Sequence, residues 1–363
     1  MANILKYIEE YKNTSFKTVK FNEVDNIILS CLSYIDFAGI VSHKRKYISL
    51  KDAAGEFFEK NTLKEYCKQG IIFKQCYKML EKMQNTKRYG NLLLYNYIYV
   101  GNEQQQFSAL CIRIKRDLVF ISFEGTDHLI VGWKENFALC YKFPIYTQVS
   151  AINYLNKAVS IFDKNIIIGG HSKGGNLAMV AAMYAKKRVN KKISLIYNND
   201  GPGLRKKEIE SEEYKNIEKR LVHIIPNYSV IGLLLRHNEN FKVIKSNRMD
   251  IMAHSPFTWQ VHQNEFKQAK LSKISQRLDK SIILWLEEHD DESRQMLIDP
   301  IFEVIKKAGI VNVYDVKSLK KFIDLFKSFK GLDKLTKELF ANCLLFNVKY
   351  CIKPKVKKDK IET

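Results

Sequence analysis

A chain of 363 residues with 46% hydrophobic and 27% charged side chains has the composition of a soluble globular protein and can bury a large core. Its 60 basic and 39 acidic residues leave a net charge of +21, which suits attraction to anionic lipid or nucleic acid and equally a lysine-rich solvated surface. No run is long and apolar enough to cross a membrane, MANILKYIEEYKN lacks the apolar core of a signal peptide, and the seven scattered cysteines form no C-x-x-C pair. The expectation is a cytoplasmic protein with reduced thiols, no metal site and no cofactor.

Residues 1–90 are expected to form a helical cover over a sheet. IILSCLSYIDF, entered through Asn22-Glu23-Val24-Asp25, has helical apolar spacing. Ser49 can cap LKDAAGEFFEK, and CKQGIIFKQCYKMLEKMQ continues as a lysine-rich helical segment. From Asn91 the pattern changes to aromatic and β-branched runs. LLLYNYIYV, FSALCIRI and DLVFISFEG read as three successive strands joined as hairpins by polar turns. The third ends in Phe123-Glu124-Gly125-Thr126-Asp127, an exposed glycine loop that reads as a turn or as one half of an oxyanion hole. Helical spacing returns over 148–162.

Asn165 to Met179, NIIIGGHSKGGNLAM, is the stretch around which the chain is organised. Three isoleucines form a buried strand, Gly169 to Gly175 a tight turn, and the Ala-rich Asn176–Lys187 a buried helix. Gly170-x-Ser172-x-Gly174 in that setting is a nucleophile elbow, with glycines where a side chain would collide with strand or helix. Lys173 follows Ser172 rather than preceding a hydroxyl residue, so the order is not that of a phosphate-binding loop. ISLIYN (193–198), LVHIIP (221–226) and FKVIKS (241–246) are three further strands. Hairpin strands followed by strands alternating with helices predict an α/β sheet, mostly parallel in its second half.

Asp200, in Asn198-Asn199-Asp200-Gly201-Pro202-Gly203, follows a strand and serves either the turn or the chemistry. His254, in MAHSPFTWQV, combines a late position with a strand-to-loop setting. Ser172, Asp200 and His254 then stand in the nucleophile–acid–base order. Thr126 and Lys173 are the candidate donors of the two oxyanion N–H groups.

Past residue 275 the chain reads as two amphipathic helices, the second capped by Asp291 or Ser293. Residues 311–363 read as a basic amphipathic extension, able to lie on an anionic membrane or to pack on the core. The hydrolase domain is expected over 1–310.

FEGTD with Gly132-Trp133-Lys134-Glu135, GHSKGGNLA from Gly170, DGPG from Asp200 and HSPFTW from His254 resemble a bacterial family called Mbeg-like, related to class 3 lipases of the α/β-hydrolase superfamily. NILKYIEEYKN and LSYIDF also fit. The resemblance implies an α/β-hydrolase fold, Ser172 as nucleophile and His254 as general base. Two departures accompany it. Class 3 lipases have arginine where this chain has Glu124, a second charge beside the oxyanion loop. They also carry the acid after the strand matching LVHIIP, where this chain reads Asn227-Tyr228-Ser229-Val230. Asp200 is the replacement acid and Asp250, four residues before His254, the runner-up. The expected function is a serine esterase acting on a lipid or other acyl ester. The alternative is an inactive binding or scaffold protein on the same fold. No nucleic-acid module is recognisable.

Overall fold

The computed structural model of the chain describes residues 2–127, 129–238 and 241–311. Among these, β1 (Ile48–Ser49), β2 (Leu93–Gly101), β3 (Gln106–Lys115), β4 (Leu118–Phe123), β5 (Asn165–His171), β6 (Ile193–Asn199), β7 (Leu221–Pro226) and β8 (Lys242–Ile244) form one sheet in sequence order. β1 to β4 pair antiparallel and β4 to β8 parallel, as the shift from hairpin spacing to helix-separated strands predicts. A separate hairpin, β9 (Val261–His262) with β10 (Glu265–Phe266), lies near the end.

The helices are α1 (Ile4–Glu10), α2 (Glu23–Cys31), α3 (Leu50–Lys60), α4 (Leu63–Gln69), α5 (Ile71–Met83), α6 (Ile130–Ala138) and α7 (Tyr146–Ala158). They continue as α8 (Lys173–Met183), α9 (Lys187–Asn190), α10 (Lys206–Ile209), α11 (Glu212–Glu218), α12 (Lys273–Glu288) and α13 (Asp291–Lys307). The period-2 alternation of the strands sorts the core into two layers. Leu110, Ile112, Phe120 and Ile167 pack under the N-terminal helices, with Ile27, Phe57 and Met79. Ala109, Cys111, Val119, Ile121, Ile166 and Ile168 face the other way, against Leu155, Leu177 and Val180. Both faces are covered, which explains why these strands read as nearly continuous apolar runs.

Several boundaries differ from the sequence expectation. Gly70, at φ +129°, divides the 61–90 segment into α4 and α5. α8 begins at Lys173, not Asn176, and ends at Met183, where the Asn190 side chain donates to Ala182 O. Asp290, not Asp291 or Ser293, caps α13. Cys67 is exposed, unlike the buried Cys31, Cys76 and Cys111. Apart from Val311, the extension at 311–363 lies outside the described residues. No helix among the described residues is long and apolar enough to cross a membrane.

The parallel register brings one set of strand ends together. Phe123 pairs with Gly170, Gly170 with Asn198, and His171 with Asn199. The loop after β4, the turn after β5 and the residue after β6 therefore meet at one edge of the sheet. Ligands of open α/β sheets bind at this carboxyl edge.

Candidate active site

Ser172 occupies the turn between β5 and α8 at φ +58°, ψ −132°, a region L-residues rarely enter. Its backbone is fixed on both sides, by Ser172 N donating to Asn199 O at 3.0 Å and Gly175 N donating to Ser172 O at 2.9 Å. The flanking glycines are steric necessities. A Cβ on Gly170 would strike the Gly174 backbone, and one on Gly174 would strike Phe123 O. That closeness also presses the loop after β4 onto the start of α8.

Asp200 follows β6 and is completely buried. Its Oδ1 accepts from Ser229 Oγ at 2.5 Å and from Gly232 N at 3.1 Å, while Oδ2 accepts from His254 Nδ1 at 2.7 Å. A Cβ on Gly232 would collide with Oδ1, so the chain after β7 closes tightly on this carboxylate. The Asn227–Val230 segment, which has no carboxylate of its own, thus supplies a hydroxyl that holds the Asp200 carboxylate one strand earlier. Asp250 is engaged elsewhere. It caps the short 3₁₀ turn Ile251–His254 through Met252 N at 3.0 Å and pairs with Arg248 at 2.5 Å.

His254 ends that turn with its side chain 23% exposed, reachable from solvent while Nδ1 is held. Trp259 Nε1 donates to Ala253 O at 2.9 Å and pins the turn from behind. His171, immediately before Ser172, ties this loop to the elbow. Its Nε2 donates to His254 O at 2.8 Å, and the two rings lie 4.4 Å apart between centroids. A carbonyl can only accept, so Nε2 carries the proton. Nδ1 is then the acceptor for the Tyr34 hydroxyl at 3.1 Å. Burial first, and the adjacent His254 imidazole second, hold His171 well below the usual histidine range, so it stays neutral. Among the described residues neither Ser172 Oγ nor His254 Nε2 makes a hydrogen bond, and both remain open to a third group.

Two backbone N–H groups at the same edge of the sheet have no acceptor among the described residues. In the loop after β4, Glu124 N donates to Ser108 O at 3.0 Å and Gly125 N bonds the Tyr34 hydroxyl. Thr126 N has no acceptor among the described residues, and neither does Lys173 N at the first position of α8. The N-terminus of α8 adds a partial positive charge there. Glu124 does not place an open charge beside the loop. It is 5% exposed, and its Oε2 accepts from Gln106 Nε2 at 2.9 Å. Burial, with Asp127 as a like charge, raises it well above the ordinary carboxylate range.

Spacing singled out Ser172, Asp200, His254, Thr126 and Lys173, but not the residues that hold them. Ser229 sits in a segment noted for lacking a carboxylate. Tyr34, His171 and Glu135 lay inside motifs carried by resemblance, with no periodicity to mark their roles. Asn136 gave no signal.

The Mbeg1-like family profile matches residues 83–303. No curated protein sequence matches the chain. Among solved structures, a crystal structure of M37 lipase is similar over 57% of this chain and 68% of its own, with 14% identity and a TM-score of 0.34.

Proposed function

The chain belongs to the Mbeg1-like family, and from that premise we propose that it is a serine hydrolase cleaving a carboxylic ester, with a lipid or other acyl ester as substrate. The observation that carries the reading is the 2.7 Å contact between His254 Nδ1 and a buried Asp200, on a loop tied through His171 to the strained Ser172. In this mechanism the ester carbonyl enters between Ser172 and the two free N–H groups. Ser172 Oγ attacks the carbonyl carbon while His254 Nε2 takes the hydroxyl proton. The tetrahedral oxyanion is held by Thr126 N and Lys173 N. The imidazolium returns the proton to the departing alcohol, leaving an acyl-serine. Water, deprotonated by His254, then releases the acid and restores Ser172. Asp200 keeps Nδ1 protonated and stabilises the imidazolium. The net charge of +21 suits a substrate met at an anionic lipid surface.

A second reading, a hydrolase-fold binding protein without turnover, draws on the missing hydrogen bond between Ser172 and His254. Catalytic hydrogen bonds in ligand-free enzymes are often long, and tighten only around substrate. Steady-state hydrolysis of p-nitrophenyl butyrate separates the two. The expected pattern is turnover by the wild type, loss to background in Ser172→Ala, a kcat reduced roughly 10⁴-fold in Asp200→Asn, and an unchanged kcat in Asp250→Asn. A folded wild type without turnover on short- and long-chain esters selects the binding reading.

A further inference from the structure

We infer that α6 is a clasp that sets the spacing of the oxyanion hole, with Glu135 and Asn136 as positioning residues. This rests on the hydrolase reading above and deepens it. The two N–H groups assigned to the hole come from Thr126 and Lys173, on different loops with no covalent link closer than the whole β4–β5 crossover. Consecutive residues of one helix hold the side chains of both. Asn136 Nδ2 donates to Thr126 Oγ1 at 2.7 Å. Glu135 Oε2 accepts from Lys173 Nζ at 3.0 Å, in an ion pair whose lysine is completely buried.

The surroundings make the clasp rigid. Lys173 Nζ also donates to Gln106 O at 2.9 Å and to Gln106 Oε1 at 3.0 Å. Glu135 accepts from Gln106 N at 3.2 Å and from Thr147 Oγ1 at 2.9 Å, so every strong partner of the pair is itself fixed. Gln106 closes the circuit by donating to Glu124, the first residue of the oxyanion loop. α6 is anchored in turn on α13 and the residues that follow it, with the Phe137 and Phe302 rings 5.6 Å apart and Ile130 N donating to Val311 O, beyond the end of α13, at 2.9 Å.

Packing alone does not require this chemistry. A buried lysine beside a nucleophile elbow costs desolvation that an apolar residue avoids. Asn136 Oδ1 is buried with no partner among the described residues, a further cost that an aliphatic side chain would not carry. What the polar residues add over an apolar core is direction. They fix where the two backbones stand relative to each other, and a hole misplaced by about 1 Å loses on the order of 100-fold in rate.

The test uses the full chain in three forms: wild type, Asn136→Ala, and the double variant Glu135→Gln with Lys173→Met. The double variant removes both charges, so no lone ion is left buried, and it keeps the Lys173 backbone N–H. kcat and KM are measured with p-nitrophenyl butyrate, and inhibition with phenylboronic acid, whose tetrahedral serine adduct places an oxygen in the hole. Each variant should lose roughly 10- to 100-fold in kcat with KM within about twofold. Boronate affinity should fall in step with kcat. Wild-type kcat in both variants, or a loss confined to KM or to the thermal midpoint, overturns the clasp and leaves the hydrolase reading standing. A wild type without turnover brings down the hydrolase reading, and the clasp with it.

Discussion

At Ser172 the backbone stands at φ +58°, where a Cβ is strained, and two neighbouring glycines are packed so closely that neither can take a side chain. Such strain costs about 1–3 kcal/mol and persists because the residue's position is wanted. Ser172→Gly removes the hydroxyl and the strain together, whereas Ser172→Ala removes only the hydroxyl. Chemical denaturation should therefore find Ser172→Gly more stable than Ser172→Ala by about 1 kcal/mol, even after glycine's entropic cost in the unfolded chain. Equal or reversed stabilities would mean that the turn is relaxed. His171 has its own signature. Its folded pKa is depressed, so between that value and the unfolded value near 6.5 the unfolded chain binds more protons. Stability is then lost as pH falls through about 6.5, by up to roughly 1.4 kcal/mol per pH unit from this residue. Denaturation midpoints from pH 7.5 to 5 should show that slope, and His171→Gln should reduce it. A slope unchanged by the substitution would place the titration at another group.

At the scale of elements, β3, β4 and β5 were the most legible strands because they are buried on both faces over nearly their whole length and have no polar side to blur their limits. Ile166, Ile167 and Ile168 send side chains to both core layers, and the run of three marks the strand without ambiguity. The start of α8 was hidden for the opposite reason. Gly174 and Gly175 are poor helix formers, and their place in the first turn is dictated by the approach of Phe123 O and Asn198, which no local pattern encodes. Acid assignment also depended on distance in space. Asp250 is four residues from His254 in sequence, but Arg248 and Met252 N occupy it. Asp200 is 54 residues away and touches the ring at 2.7 Å, because β6 ends level with the elbow. The Ser229 hydroxyl, in the segment without a carboxylate, reaches it from β7's exit loop. α6 was the least legible element, since nothing in its sequence shows that Glu135 and Asn136 face Lys173 and Thr126.

Across the whole molecule, the N-terminal helices share one core with the sheet and with the loop that carries His254. Ile4, Phe120 and Trp259 belong to the same cluster, and Asn3 Nδ2 donates to Phe257 O at 2.9 Å. The N-cap of the first helix thus braces the loop that carries His254. Charge is partitioned as well. Among the described residues seven carboxylate side chains are buried (Asp25, Glu124, Asp127, Glu135, Asp163, Asp200 and Glu208), against two buried cations, Arg88 and Lys173. Among the described residues the solvent-facing charge is therefore shifted further toward the basic side.

The claim on which the account turns is that Ser172 is a nucleophile prepared by His254 and Asp200. Reaction of the intact protein with a fluorophosphonate, followed by peptide mass spectrometry, reads it directly. One phosphonyl adduct per chain is expected, on Ser172, formed much more slowly in His254→Ala and absent from Ser172→Ala. A folded wild type that stays unlabelled, or that carries its adduct on another residue, would contradict it.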